Sequence, residues 1–324
     1  MRVLLTGGTG FIGGHLARRL CQDGHRLTAL VRSPEKASAL VALGVTLLHG
    51  DLSLFAAPGC VLPEFDVVIH LAGVVSASEP AQYEAINYTA VVALMDCLER
   101  QHWKPRRLLF ASSLAASGPS PVERPWTADD PLAPIDPYGE AKARAEAALA
   151  TACFPVTCFR PPVVLGPGDP AFLTLFKAAK HRVGFRVAGT PQRLSWVYVD
   201  DLVEAIVAMA EDERPGSATY FTTSEETIDT RRLWAALSAA LQRRILVLPV
   251  PGVLLSGVSV IAVALAKVFG LANPLDAKQV AQMRAPAFVC TSHLLTCELG
   301  WTAQVGFEDA VARTAQGYVE MGWL

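Results

Sequence analysis

Over the first 115 positions the apolar residues fall into two alternating spacings, short continuous runs and runs with helical periodicity. Val3-Leu4-Leu5 is the first continuous run and suits a buried strand. His15-Leu16-Ala17-Arg18-Arg19-Leu20 follows with helical spacing. Arg26 to Val31, Val45 to Leu52, Asp66 to Gly73 and Arg107 to Ser113 read as the next four strands, with a helix from about Gln82 to Arg100 between the last two. Strand and helix alternating in this way predict an α/β fold with a parallel, doubly wound sheet. Further on, an alanine-rich helix starts at Asp136-Pro137 and an amphipathic helix spans about Phe307 to Glu320.

The first strand and helix are joined by Thr6-Gly7-Gly8-Thr9-Gly10-Phe11-Ile12-Gly13. Gly7, Gly10 and Gly13 are spaced G-x-x-G-x-x-G, and each position has a reason to lack a Cβ. Gly7 permits a tight turn, Gly10 lets backbone approach a pyrophosphate, and Gly13 lets helix pack close on strand. Free N–H groups at the start of the helix, from Phe11 and Ile12 on, then face phosphates. The turn therefore predicts a bound dinucleotide in a Rossmann-type domain.

The strand ends refine that expectation. In a dinucleotide fold the end of the second strand meets the adenosine ribose, where an acid binds the 2′-hydroxyl and an arginine favours a 2′-phosphate. Here Val31 is followed by Arg32 with no acid, which favours NADP over NAD unless Arg32 is merely solvated. Asp51 and Leu52 end the third strand, and Asp51 either reaches the adenine or caps the next segment. Small Ala72 and Gly73, after Leu71, leave room for a ribose and diphosphate. His70 reads as a satisfied core histidine. Asn87 sits on the otherwise apolar face of its helix, so its amide makes either a buried structural bond or one that orients the site.

Composition narrows the class. The chain has 324 residues, a formal net charge of −2 and 52% hydrophobic residues, so it has ample core and no basic field for nucleic acid. Seven cysteines include no C-x-x-C pair, which suits a reducing compartment. The seven histidines form no ligand cluster, and no metal site is expected. The glycine turn with Arg18-Arg19 behind it argues against a signal peptide, which makes the cytoplasm the expected location.

The helix that opens at Asp136-Pro137 carries Tyr138-Gly139-Glu140-Ala141-Lys142, and i,i+4 spacing puts the phenol and the ammonium on one face. A phenol with a reference pKa of about 10 is a poor base at neutral pH, and a nearby cation favours its ionised form. Tyr138 could then pass a proton to or from a substrate oxygen while hydride moves to or from a nicotinamide. Ser113, at the sheet's carboxyl edge, is placed to hydrogen-bond the same oxygen.

On these motifs the chain resembles the extended short-chain dehydrogenase/reductases, the NAD(P)-dependent epimerase/dehydratase superfamily. The matching stretches include Thr6 to Gly13, Gly50-Asp51-Leu52, His70 to Gly73, Asn87, Ser112-Ser113, Tyr138 to Lys142, Arg160 to Asp169 and Val197 to Leu202. The resemblance implies a cofactor domain over 1–160, with 190–225 returning to it, and a smaller C-terminal substrate-binding region from 161–189 and 226–324. It also implies that Ser113, Tyr138 and Lys142 are catalytic, and that Ser112 is structural. Gly7, Gly10, Phe11, Ile12, Gly13, Arg32, Asp51, Leu52, Leu71, Ala72 and Gly73 would contact the cofactor, with Tyr138, Lys142, Pro161 and Val163. Asn87, Leu114, Val163 and Trp196 are expected at the substrate.

The sugar-nucleotide branch carries an asparagine in the Arg160 motif and an arginine shortly before the later aromatic, and both hold a diphosphate. Here the positions are Val163 and Leu194, with Arg193 one residue off. From Ile245 to Phe269 the only charge is Lys267, and Val253 to Ala266 is apolar all round. Such a stretch is core, a greasy lid over an apolar substrate, with or without a membrane contact through 252–270, or, less in keeping with its length, a membrane span. Similar segments occur in the 3β-hydroxysteroid dehydrogenase and sterol-decarboxylase branch. The expected activity is interconversion of a secondary alcohol and a ketone, with or without decarboxylation, on an apolar steroid- or terpenoid-like substrate with NADP(H). A sugar-nucleotide or lipid-linked-sugar epimerase is the enzyme alternative, and a non-catalytic dinucleotide sensor the alternative of another class. A homodimer is an open expectation.

Overall fold

A computed structural model describes residues 1–77, 79–188, 192–251, 282 and 285–324. Its strands in chain order are β1 (Arg2–Thr6), β2 (Arg26–Val31), β3 (Thr46–His49), β4 (Val67–His70), β5 (Arg107–Ala111), β6 (Val156–Arg160) and β7 (Val163–Leu165). They continue with β8 (Val183–Val187), β9 (Arg193–Leu194), β10 (Trp196–Tyr198), β11 (Ala218–Phe221), β12 (Leu246–Val250) and β13 (Ala287–Phe288). Seven of these form one parallel sheet in the order β11-β6-β5-β4-β1-β2-β3. The strand order reverses beside β1, which puts the glycine turn at the switch point where such sheets bind ligands. Three two-stranded parallel sheets, β7 with β10, β8 with β12 and β9 with β13, stand outside it.

The central strands are apolar on both faces because helices cover both. Val3 and Leu5 of β1 enter one buried cluster with Leu16 and Ile206, and Leu4 between them enters the other with Leu94 and Phe110. A third cluster, around Phe176, Trp196, Trp234 and Phe307, holds the C-terminal elements together.

The strands are shorter than the apolar runs. β4 stops at His70 and β5 at Ala111, so Leu71 to Gly73 and Ser112-Ser113 are loop positions just past the sheet's carboxyl edge. The helix expected over 82–100 is broken into Pro80–Glu84, a π-helical turn at Ala85–Thr89 and Ala90–Arg100. The final helix runs Phe307–Glu320 as expected. Among the described residues no helix is long and apolar enough to cross a membrane. The apolar stretch 252–270 lies outside the described residues.

Candidate active site

The glycine turn is built by close approach. Gly7 has φ +76°, and a Cβ there would meet the Ala72 nitrogen at 2.7 Å. A Cβ at Gly13 would meet the Gly7 oxygen at 2.1 Å, so helix Phe11–Gln22 can start this close to β1 only without a side chain. At Gly10 the space is open apart from the Gly7 oxygen at 3.2 Å. Gly10 caps the helix with no side-chain bond, and no acid lies in the first turn. A bare helix N-terminus beside open space at Gly10 fits the pyrophosphate of a dinucleotide. Thr6 braces the neighbouring loop, its hydroxyl oxygen accepting the Ala72 amide at 3.2 Å.

Arg32 and Asp51 come to the same edge, because Val31 pairs with His49 in the register of β2 on β3. Asp51 caps the short 3-10 helix Leu52–Ala56, accepting the Ser53 amide at 2.8 Å and the Ser53 hydroxyl. Those bonds, with a smaller contribution from the Arg32 charge, hold its carboxyl below the usual range. Of the two roles open to Asp51, the cap is the one its side chain occupies.

Ser113 begins the short helix Leu114–Ser117, its hydroxyl oxygen accepting the Ala115 amide at 3.1 Å. Asp136 caps the helix Pro137–Leu149 by accepting the Gly139 amide at 2.9 Å. Gly139 lets that helix close on the first, since a Cβ there would lie 2.3 Å from the Ala115 oxygen. This contact brings the Ser113 hydroxyl into hydrogen-bonding contact with the Tyr138 phenol. Burial pushes Tyr138 up to about 12, and the Ser113 bond works against that shift. Lys142, on the same helix, donates to the Ala111 carbonyl at 2.6 Å and lies 4.7 Å from the centre of the Phe110 ring.

A family match follows this geometry along the chain. The NAD dependent epimerase/dehydratase family matches residues 3–220, from the first residues of β1 to β11. The chain belongs to that family. Along nearly its whole length it is similar to the ceramide reductase of Caulobacter vibrioides, 28% identical over 99% of this chain and 96% of the relative. It is also similar to the UDP-glucose 4-epimerase of Vibrio cholerae, 24% identical over 98% of this chain and 95% of that one. In fold it is similar to MoeE5, solved with UDP-glucose and NAD, with TM-score 0.77, 22% identity and 99% of each chain covered. An NAD(P)-dependent enzyme of the extended short-chain dehydrogenase/reductase type follows from the family.

Within this family member, several residues act behind the Ser113–Tyr138 pair. Tyr83 sets its ring edge against Tyr138, centroids 5.9 Å apart, and its hydroxyl oxygen accepts the Ala77 amide at 3.0 Å. Glu146 binds the buried Arg160 guanidinium at 2.6 Å and accepts the Ser112 hydroxyl, which gives Ser112 a structural part. Sequence reasoning missed Tyr83 and Glu146; i,i+4 spacing from Tyr138 and Lys142 was the available signal for Glu146. Asn87 is fully buried and spends its amide on the Val74 backbone, accepting its N–H at 2.9 Å and donating to its carbonyl at 2.8 Å. That is a loop clamp, the structural bond that was one of the two roles open to its amide. His70 is buried and bonds Thr6 through Nδ1 at 2.8 Å, but its Nε2 has no partner among the described residues. Burial lowers its pKa to about 3, which keeps the ring neutral.

Trp196 is fully buried, with its ring 5.1 Å from that of Phe307. It sits there because β10 pairs with β7, Trp196 beside Val163, and the side chain points into the third cluster. Leu114, beside Ser113, joins a separate apolar cluster with Trp126, Phe221 and Phe288. The Pro161 carbonyl accepts the Leu114 amide at 3.0 Å and ties that cluster to the end of β6. A cleft of about 710 Å³ lies beside β11, lined by Arg107, Arg214, Thr219 and Glu298 among others. It includes neither Ser113 nor Tyr138.

Proposed function

We propose that this chain interconverts a ketone and a secondary alcohol on a largely apolar, lipid-like molecule of the steroid, terpenoid or ceramide kind, with NADP(H) preferred over NAD(H). The observation that carries the substrate class is the placement of Arg193 and Leu194. A diphosphate is held by charge-assisted bonds. Leu194 instead packs against two buried apolar clusters, while Arg193 on the same strand reaches outward to the Val122 carbonyl and the Thr227 hydroxyl, each at 3.4 Å. Bringing Arg193 inward takes a one-residue slip, which breaks the reciprocal Leu194–Ile228 backbone bonds at 2.9 Å. Val163, at the other diphosphate position, likewise packs on the third cluster. The likeness to a ceramide reductase along nearly the whole chain supports the same reading.

The nicotinamide, when bound, supplies the hydride donor or acceptor. Tyr138 moves the proton at its phenol oxygen, and the Ser113 hydroxyl bonds the same substrate oxygen. Lys142 adds a positive charge from the same helical face. With Tyr138 pushed up to about 12, the free site holds a protonated phenol at neutral pH, the form that donates to a ketone. In the opposite direction, oxidation beta to a carboxylate would labilise that carboxylate through the same residues.

A sugar-nucleotide epimerase is the second reading, supported by the alignment with the Vibrio cholerae epimerase over 98% of this chain. A turnover screen separates the two: sterol, isoprenoid and ceramide-like ketones against uridine and thymidine diphosphosugars, each with NADPH and NADH. Saturable turnover of a diphosphosugar, with none for any apolar ketone, reverses their order.

A further inference from the structure

We infer that the paired strands β8 and β12 form a docking face for an anionic lipid bilayer. In their parallel register Val183 lies beside Leu246 and Phe185 beside Leu248. These four side chains are 45%, 66%, 45% and 47% exposed. The opposite face of the pair is anchored. A Cβ at Gly184 would lie 2.9 Å from the Trp234 ring, and Val247, its register partner, packs on the third cluster. A solvated sheet face ordinarily alternates apolar-in with polar-out. This one turns apolar side chains out.

Cations surround it. Lys177, Lys180, Arg182, Arg243 and Arg244 are all exposed, and among the described residues none of them has an ion-pair partner; Arg186 alternates to the Gly184 side of its strand. No Asp or Glu occurs in 170–188 or 240–251, although acids outnumber Lys and Arg over the whole chain, 30 to 28. The two cationic turns are held side by side, since Arg243 donates to the Lys180 carbonyl at 2.8 Å and the Leu246 amide to the Arg182 carbonyl at 2.9 Å. Apolar side chains flanked by unpaired cations suit a bilayer surface, where the first enter the acyl boundary and the second meet lipid phosphates. A second copy docked on the same face by a two-fold axis would set these cations against one another. The residues named here do not include 252–270, and the surface does not depend on the reaction assigned to Tyr138.

Sedimentation of the full chain with vesicles tests this. Phosphatidylcholine alone is compared with phosphatidylcholine mixed with phosphatidylglycerol, at low and high salt. The mixed vesicles should take up the protein and release it in high salt, and the neutral ones should take up little. A cation near an anionic surface contributes about fivefold to partitioning, so Arg182→Glu with Arg244→Glu should weaken uptake at least about 25-fold. Phe185→Ser with Leu248→Ser should weaken it as well, and because the Phe185 ring also meets Trp234, centroids 6.2 Å apart, uptake by both variants is read well below their melting temperatures. No uptake by the parent, equal uptake on neutral vesicles, salt-insensitive uptake, or full uptake by both variants overturns the inference. So does loss of a dimer in the serine variant with vesicle uptake unchanged. The salt and lipid comparisons use the parent protein alone, so a variant that fails to fold leaves the test intact.

Discussion

The Ser113 hydroxyl is in hydrogen-bonding contact with the Tyr138 phenol while its oxygen accepts the Ala115 amide at 3.1 Å. One hydroxyl thus caps a helix and meets the acid. A substrate oxygen entering between them finds two hydroxyl groups already converged, which limits the reorganisation needed in the transition state.

Tyr138→Phe removes the mobile proton and leaves the glycine turn untouched. Turnover should fall by roughly 10²-fold or more, the range for a lost acid or base. Cofactor affinity, read by fluorescence titration, should persist. Near-normal turnover on the true substrate would take Tyr138 out of the mechanism.

The same phenol predicts opposite pH profiles for the two directions. Its pKa is raised to about 12 by burial, so the proton-donating form is full from mildly acid to mildly alkaline pH, and kcat/KM for reduction should be flat there. Oxidation needs the phenolate, whose fraction climbs roughly tenfold per pH unit below the pKa, and kcat/KM for the alcohol should climb with it. A reduction profile that falls through neutrality would mean that another group donates.

Arg32 lies at the edge it shares with Asp51, and the proposed NADP preference rests on it. Arg32→Ala should weaken NADPH binding by about 1 to 3 kcal/mol, the scale of a charge-assisted bond, and leave NADH unchanged. Equal affinities of the parent for the two cofactors would remove the NADP preference.

Much of this site is written in local sequence. A strand that is apolar on both faces, a glycine where two backbones touch, and Asp-Pro at a helix start leave marks within a few residues. The structure carries those expectations out at β1, Gly7, Gly13 and Asp136. Strand ends are harder, because pairing stops where the neighbour leaves; β4 ends at His70 although the small, apolar sequence runs on to Gly73. The π-helical turn at Ala85–Thr89 accompanies a bond between Asn87 and Val74, thirteen positions away. That Trp196 faces the third buried cluster was not legible either, because position in a motif does not say which way a strand's side chain faces.

Glu146 and Arg160 form a buried ion pair at 2.6 Å behind Ser112, their side chains 7% and 5% exposed. Removing one partner strands the other charge out of water, at a cost of about 3 to 5 kcal/mol. Glu146→Gln keeps the shape and removes the charge, so its unfolding free energy, read from urea denaturation, should drop by an amount in that range. A change below about 1 kcal/mol would show that Arg160 finds another partner or that water reaches it.

Asn87 offers the sharpest separation between structure and site. Its amide satisfies both backbone groups of Val74, and the loop so held carries Ala72 and Gly73 past the glycine turn. A Cβ at Gly73 would lie 2.8 Å from Asn87 Oδ1 and 3.5 Å from Lys142 Nζ, so the clamp also limits the space beside the lysine. Asn87→Leu leaves two partly buried backbone groups without partners, each costing about 1 to 3 kcal/mol. Stability should fall, and cofactor affinity should fall with it because the loop at Ala72 loosens. Asn87→Asp keeps the acceptor for the Val74 amide but loses the donor and sets a buried carboxylate against the Val74 carbonyl, so it too should fall below the parent in both measurements. If Asn87→Leu melts early but binds cofactor as tightly as the parent, well below its melting temperature, Asn87 stabilises the fold without shaping the site.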